Sequence, residues 1–352
     1  MQLDRMRVPI VQAPLAGGAS TPALTAAVLD VGAFGFLAAG YKSPDAVAAD
    51  VATLRGLTGA PYGLNIFVPD DEVDPGTLAA YLTEISREAD RHGVALGEPR
   101  YDDDWFEAKI DLAVSEAVPV VSFTFGCPDA AVIRRLHEAG SEIWVTVTEP
   151  SEAMTAVTSG ADVLVAQGIE AGGHRGSFAD RENREDYGLL PLLQLLRRCV
   201  DVPLVAAGGI GTGSGIAAVL AAGARAAQIG TAFLRCPEAG TSGPHRAALT
   251  GTGRTRLTRA FTGRLARGLE NRFLTEHSAT APVGYPQIHH ATAPVRAAGR
   301  TAGDSDVVNL WAGQAYRLSA EIPAAQLIAE MGRDLTRALA DASGRTAAVG
   351  PG

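Results

Sequence analysis

The chain has 352 residues, of which 47% are hydrophobic and 20% charged, and its formal net charge is −9 at pH 7. This composition is typical of one large core-forming domain and excludes a mostly disordered chain. The negative charge disfavours nucleic-acid partners, because their phosphates would be repelled. Cys127, Cys199 and Cys236 lie far apart without CxxC spacing, which argues against a disulfide framework or a zinc site. We therefore expect a cytoplasmic protein without a metal.

Short apolar runs alternate along the chain with segments of helical periodicity, as in buried parallel strands and their crossover helices. Eight strand–helix units within about 230 residues predict an α/β fold, the TIM (β/α)8 barrel. The predicted strands are 10–12, 35–38, 63–67, 118–125, 143–147, 163–166, 204–207 and 226–229. The predicted helices include 22–30, 44–54, 130–139 and 151–159.

The alternation of predicted strands and helices ends near residue 236. We predict three parts of the chain. Residues 1–235 form the barrel, and residues 236–303, which show no strand-like alternation, form a smaller helical or irregular lid subdomain. Residues 304–352 form a C-terminal segment, whose apolar spacing over 320–339 predicts a helix packed on the barrel. Residues 202–224 carry no charge, but Pro203 and six glycines interrupt them, so we expect no membrane span.

The predicted lid contains a locally basic segment, with six arginines and one acid between Arg254 and Arg272. Such a segment could bind a phosphate group. We favour a solvated helix face instead, and we expect Arg264 and Arg267 to affect access to a site rather than its chemistry.

A glycine-rich turn, residues 208–215, follows the seventh predicted strand and opens a helix. Backbone N–H groups at a helix N-terminus favour an anion there. The turn does not match the dinucleotide fingerprint GxGxxG, and no acid between Asp201 and Glu238 could hold a ribose hydroxyl. Together with Gly230 and Thr231 after the eighth strand, the turn predicts a mononucleotide phosphate site. The alternative is that its glycines only allow close packing of helix and strand.

A second glycine-containing segment begins where the sixth predicted strand ends and carries His174. Catalytic groups in such barrels come from this rim, and histidine is a base near neutral pH. Gly172 and Gly173 would let the backbone approach a flat ligand. The side-chain amides of Asn65 and Gln167, also at strand ends, offer donors and acceptors to the edge of such a ligand. A structural or solvated histidine is the alternative.

These segments resemble the nitronate monooxygenases, formerly called 2-nitropropane dioxygenases. The resemblance covers most of the chain and is carried by PIVQAPLAGG (9–18), GLNIF (63–67), AQGIEAGGHRG (166–176), AAGGI (206–210) and QIGTAF (228–233). It implies an FMN-dependent barrel that oxidises alkyl nitronates, such as propionate 3-nitronate, or nitroalkanes with O2 to a carbonyl compound and nitrite. Leu15 departs from the family pattern, which usually has methionine at this position.

The resemblance also implies roles for individual residues. His174 would be the catalytic residue, either as a base or as a cation that holds the nitronate oxygens. The implied FMN contacts are Asn65, Gln167, Gly172, Gly209, Gln228, Ile229, Gly230 and Thr231. Trp311 resembles a late family element and is either a wall of the flavin pocket or plain core.

Two other functions fit the same residues. One is an NAD(P)H-dependent flavin reductase of related barrels, acting on quinones or on enoyl-acyl-carrier-protein substrates. The other is a regulatory flavin-binding protein without turnover, for which His174 would be dispensable.

Overall fold

The computed structural model describes residues 1–180 and 185–347. Within them, eight parallel strands close into a barrel in the order β1-β2-β3-β4-β5-β6-β8-β9, and β9 pairs with β1. The strands are β1 (Ile10–Gln12), β2 (Phe34–Ala38), β3 (Gly63–Phe67), β4 (Val120–Thr124), β5 (Glu142–Val147), β6 (Val163–Gln167), β7 (Gly173–His174), β8 (Leu204–Ala207), β9 (Ala226–Ile229), β10 (Thr255–Thr258) and β11 (Ala266–Leu269). The predicted TIM barrel is therefore confirmed.

Helices surround the barrel because each crossover must return the chain to the start of the next parallel strand. They are α1 (Pro22–Asp30), α2 (Pro44–Leu57), α3 (Pro75–Arg91), α4 (Phe106–Ser115), α5 (Ala130–Glu138), α6 (Pro150–Ser159), α7 (Leu189–Leu196), α8 (Gly213–Ala221), α9 (Gly243–Ala248), α10 (Arg272–His277), α11 (Gln287–Ala302) and α12 (Ala324–Ala347). The first three begin with proline after the capping side chains of Thr21, Ser43 and Asp74, a common start signal.

Most side chains of the barrel strands are apolar and buried, since both faces of a parallel sheet are covered. Phe36 stacks edge-on against Phe34 and Trp144, with ring centroids 5.3 and 5.4 Å apart. Gly63 faces this cluster, and a Cβ there would lie 2.2 Å from the Phe36 ring. A larger residue at position 63 would therefore displace the aromatic core.

Residues 236–303, predicted as a helical or irregular lid, contain three helices and also two short strands, which the sequence analysis did not predict. Strands β10 and β11 form an antiparallel pair, and β11 also pairs with β7, which places His174 opposite Ala266. Each of these strands has at most four residues, and β10 and β11 contain arginines, so no apolar alternation marks them. The small sheet joins the lid to the rim of the barrel.

The lid has its own small core, in which α11 packs on α3 through buried side chains such as Tyr81, Phe261 and Ile288. The final helix, α12, covers α8 and α1, which confirms the predicted packing of a C-terminal helix on the barrel. Gly213 of α8 allows this contact, because a Cβ there would lie 2.1 Å from the Leu335 nitrogen. Among the described residues no helix is both long and apolar enough to cross a membrane.

Candidate active site

A cavity of about 520 Å³ lies between the carboxyl ends of the barrel strands and the lid. Strand-end residues such as Asn65, Thr146, Gln167 and Gln228 line one side of it. Lid and C-terminal residues complete the wall: Thr241, Ser242, His245, Thr262, His289, Arg296, Asn309 and Trp311. Active sites of TIM barrels form at this face, because the loops that follow the strands converge there.

His174 reaches the cavity from the short strand β7. Gly172 and Gly173 precede it, and each is required for a different reason. Gly173 has a φ of 76°, and a Cβ at Gly172 would lie 2.4 Å from the Gly313 nitrogen. Gly172 therefore allows close packing against the C-terminal segment, which differs from the predicted approach to a flat ligand.

The imidazole of His174 is held by the lid. Its Nε2 lies 2.9 Å from Thr262 Oγ1, and that hydroxyl can donate to the Arg264 carbonyl at 3.2 Å. We assign the Nε2–H tautomer, because the hydroxyl then accepts from the ring and donates to the carbonyl. Nδ1 is left with a lone pair that can accept a proton.

Burial lowers the pKa of His174 to about 3, and the nearby charges of Arg264 and Arg296 act in the same direction. The ring is therefore neutral at pH 7 in the ligand-free protein. A neutral ring can accept a proton, whereas the cationic role also predicted from the sequence would need an anion to raise this pKa.

The lowered pKa of His174 predicts that kcat/KM does not fall on the acid side of its pH profile. For a neutral nitroalkane, we expect kcat/KM between pH 5 and pH 8 to show no loss from protonation of His174, because the free enzyme protonates it only near pH 3. Initial rates across this range check the expectation. An acid limb close to the ordinary histidine pKa of about 6.5 would contradict it.

Asn65 and Gln167 differ in how much hydrogen-bonding capacity they leave for a ligand. Asn65 Nδ2 donates to Ser122 Oγ at 2.9 Å and Thr124 Oγ1 at 3.0 Å, whereas no described residue donates to its Oδ1. Gln167 Nε2 donates to the His174 carbonyl at 3.1 Å, and its Oε1 accepts from the Gly176 nitrogen at 2.8 Å. Gln167 thus positions the His174 segment, and Asn65 keeps a free acceptor.

The loop after β8 carries a set of unpaired backbone donors. Gly208 and Gly209 have φ values of 118° and 68°, and both line the cavity with Ile210 and Gly211. Among the described residues, nothing accepts from the N–H groups of 209–211 or of Gly230. Unpaired amides that line a cavity suit a phosphate.

Two N–H groups in the first turn of α8 already have acceptors within the chain. The predicted anion site is therefore better placed in the loop that precedes the helix. Thr212 Oγ1 accepts from the Gly215 nitrogen at 3.1 Å, and the Asp334 carboxylate accepts from the Ser214 nitrogen at 2.9 Å. The Asp334 charge would oppose an anion at the helix terminus itself.

Substitution of Gly209 tests whether this loop binds a phosphate. We expect Gly209→Asp to weaken flavin retention about tenfold or more, because it adds a carboxylate beside the site. Gly209→Ala is the matched control, since it meets the same left-handed φ without adding charge. Flavin content after gel filtration measures the effect. Equal retention in the two variants would remove the loop from the cofactor site.

Eight of the nine predicted site residues line the cavity. Thr231 Oγ1 also accepts from the Gly313 nitrogen at 3.0 Å, which ties the barrel rim to the C-terminal segment. The exception is Ile229, whose side chain is buried in the barrel core. Trp311, left open as wall or core, lines the cavity with its ring centroid 5.4 Å from that of His174.

The sequence analysis missed several cavity residues, among them Tyr41, His245, His289 and Arg296. Tyr41 has a φ of 68° and stacks on His289 at 4.2 Å between ring centroids. His289 and Arg296 are seven residues apart on α11, a spacing that places them on one helix face and could have revealed them.

The prediction of a solvated helix face over residues 254–272 was wrong about the helix and about Arg264 and Arg267, whereas Arg254 and Arg256 are exposed. The Arg264 side chain is fully buried: it pairs with Asp70, donates to the Ser177 carbonyl, and lies 4.0 Å from the Phe125 ring centroid. Arg267 is 6% exposed on β11, and its Nε donates to the Ile169 carbonyl at 2.9 Å. Both arginines hold the lid against the barrel rim.

A barrel whose carboxyl-end cavity holds a neutral histidine and unpaired loop amides has the arrangement of a cofactor-dependent enzyme. The sequence model of the nitronate monooxygenase family matches residues 3–334. Nitronate monooxygenases from Paraburkholderia phytofirmans and Pseudomonas aeruginosa are 37% and 38% identical to this chain. The alignments cover 94% and 93% of this chain and 93% and 96% of those proteins. The chain belongs to the nitronate monooxygenase family, a family of flavin-dependent oxidoreductases.

Two solved structures extend these similarities. A nitroalkane oxidase from Streptomyces ansochromogenes is 49% identical, with a TM-score of 0.95 and coverage of 97% of this chain and 99% of that one. FabK from Thermotoga maritima is 26% identical, with a TM-score of 0.77 and 97% coverage of both chains.

Proposed function

We propose that this chain catalyses the FMN-dependent oxidation of alkyl nitronates, and of nitroalkanes after deprotonation, by O2 to a carbonyl compound and nitrite. The observation that carries the proposal is a neutral His174 in the same cavity as the unpaired amides of the loop after β8. The similarity to nitronate monooxygenases and to a nitroalkane oxidase supports it. The substrate and the use of O2 are parts of this proposal.

The residues of the cavity fit FMN. The unpaired amides of 209–211 and Gly230 suit one phosphate group, and Asn65 Oδ1 offers an acceptor to the edge of a ring. Gln167, Gly172, Gln228 and Thr231 complete the proposed contacts, and Ile229 would contribute only through its backbone. Bound FMN supplies the electron acceptor that no amino-acid side chain provides.

The chain's own residues perform the proton chemistry and position the substrate. Nδ1 of His174 is the proposed acceptor of the α-proton of a neutral nitroalkane, and Thr262 orients the ring. A nitronate supplied as the anion has already lost this proton. Phe125, Tyr285 and Trp311 surround the imidazole at centroid distances of 5.4–5.9 Å and limit the access of water.

An NAD(P)H-dependent reductase is the second candidate. The 26% identity to FabK over nearly the whole chain favours a common barrel, but it is lower than the 49% identity to the nitroalkane oxidase. We also propose a cytoplasmic location, which fits the absence of a disulfide among Cys127, Cys199 and Cys236.

The cofactor identity gives a direct prediction. We expect heat-denatured protein to release FMN and not FAD, because one set of unpaired amides accommodates one phosphate group and no adenosine-binding motif was found. Chromatography of the released flavin against both standards is the measurement. Release of FAD would contradict the proposed site.

The proposed reaction is tested by its products. Flavin-loaded protein with propionate 3-nitronate should consume O2 and form nitrite and the carbonyl product in parallel. Nitrite formed only when NADH or NADPH is added, or no nitrite at all, would reject the proposed reaction.

A further inference from the structure

Arg296 is a buried cation whose side chain contacts only neutral groups. It lies on α11, is 5% exposed and lines the cavity. Its Nε donates to Thr292 Oγ1 at 3.0 Å and its Nη2 to the His289 carbonyl at 2.7 Å. Asn309 Oδ1, 3.5 Å from Nη1, is a third neutral acceptor. These bonds fix the position of the guanidinium without neutralising it.

The described residues provide no counter-charge for this arginine. No carboxylate among them lies within 4.0 Å of its guanidinium, whereas the buried Arg264 has Asp70. Burial and the neighbouring charge of Arg300 lower the pKa of Arg296 to about 10, so it remains a cation at neutral pH. A buried cation without an ionic partner destabilises the folded protein, and an anionic ligand would remove this destabilisation.

The hydrogen bonds of Arg296 leave part of the guanidinium for such a ligand. Thr292 donates its own hydroxyl proton to the Phe261 carbonyl at 2.5 Å, so it can act only as the acceptor for Nε. An arginine has five N–H groups, and the contacts with Thr292, His289 and Asn309 use at most four. At least one Nη1 N–H is therefore unpaired. Arg300, exposed at the edge of the same cavity, adds a second positive charge.

We propose that Arg296 determines the substrate specificity of the cavity by binding a carboxylate of the substrate, remote from the carbon that is oxidised. This inference rests on the proposed function, because it concerns a nitronate that carries a second anionic group. The guanidinium suits a carboxylate, since its planar N–H groups match the two oxygens. The flavin phosphate has a separate set of donors in the loop after β8.

Two substrates distinguish carboxylate binding by Arg296 from a general effect on the reaction. Propionate 3-nitronate carries the carboxylate, and butyl nitronate lacks it. In Arg296→Gln we expect kcat/KM for propionate 3-nitronate to fall about 10- to 100-fold, mainly through KM, because a charge-assisted bond is lost. For butyl nitronate, kcat/KM should change by less than about threefold, which is within the effect of a lost neutral contact. Arg296→Lys should retain part of the preference for propionate 3-nitronate over butyl nitronate. Arg333→Gln, on the exposed side of α12, controls for net charge.

Equilibrium binding tests the same subsite without turnover. Calorimetric titration of the flavin-loaded protein should show tighter binding of succinate than of its neutral analogue succinamide, and Arg296→Gln should remove most of the difference. If the wild type oxidises neither nitronate but the succinate preference depends on Arg296, the proposed function fails and the carboxylate subsite stands. Equal losses on both nitronates, no loss on either, or release of flavin by both Arg296 variants would overturn the role of Arg296.

Discussion

His174→Asn should abolish flavin reduction by a neutral nitroalkane while sparing much of the reaction with a pre-formed nitronate. With nitroethane we expect a loss of about 10²–10⁴-fold, because removal of a carbon-bound proton needs a general base. With ethyl nitronate the proton is already absent. Only a neutral contact to His174 is then lost, which corresponds to about tenfold or less.

Stopped-flow reduction of both substrates by the flavin-loaded proteins, at matched flavin occupancy, makes this comparison. His137→Asn serves as the control, because this histidine is exposed on α5, away from the cavity. Equal losses on the two substrates would show that His174 acts through electrostatics or structure and not as a base. Unchanged rates on both would remove it from the mechanism.

Arg264→Ala should reduce the free energy of unfolding by about 3 kcal/mol, because it leaves Asp70 without its buried partner and opens space beside Phe125. Arg254→Ala is the matched control. Arg254 pairs with Glu270, but its side chain is 77% exposed and solvent screens the pair, so this variant should unfold close to the wild-type midpoint. Denaturant unfolding of both variants provides the measurement. Similar midpoints for the two would contradict the structural role assigned to Arg264.

The barrel could be predicted from the sequence because a local sequence pattern marks each of its strands and helices. Each buried strand is a short apolar run, and each is followed by a helix with its own start signals, as in Gly63–Phe67 and the proline-initiated α3. The strand ends then locate the rim, which is why Asn65, Gln167 and His174 were correctly placed on one cavity. The bounds differ at the ends of elements: β2 begins at Phe34 and not at residue 35, β4 covers Val120–Thr124 and not 118–125, and α2 ends at Leu57 and not at residue 54.

The lid could not be predicted in the same way because its structure depends on distant partners. Strand β11 pairs with His174, which lies 92 residues before Ala266 in the sequence, and no local pattern encodes that pairing. Arg264 and Arg267 were assigned to the surface by residue type alone. Their burial depends on Asp70 and on the Ile169 carbonyl, which only the folded chain brings close.

The proposed function requires that a nitronate, without a nicotinamide, supplies the electrons in this cavity. Anaerobic mixing of the flavin-loaded protein with propionate 3-nitronate, and separately with NADH and with NADPH, tests it through the visible absorbance of the flavin. We expect rapid bleaching by the nitronate and none by either nicotinamide over the same period. Bleaching by NADH or NADPH with no response to the nitronate would contradict it.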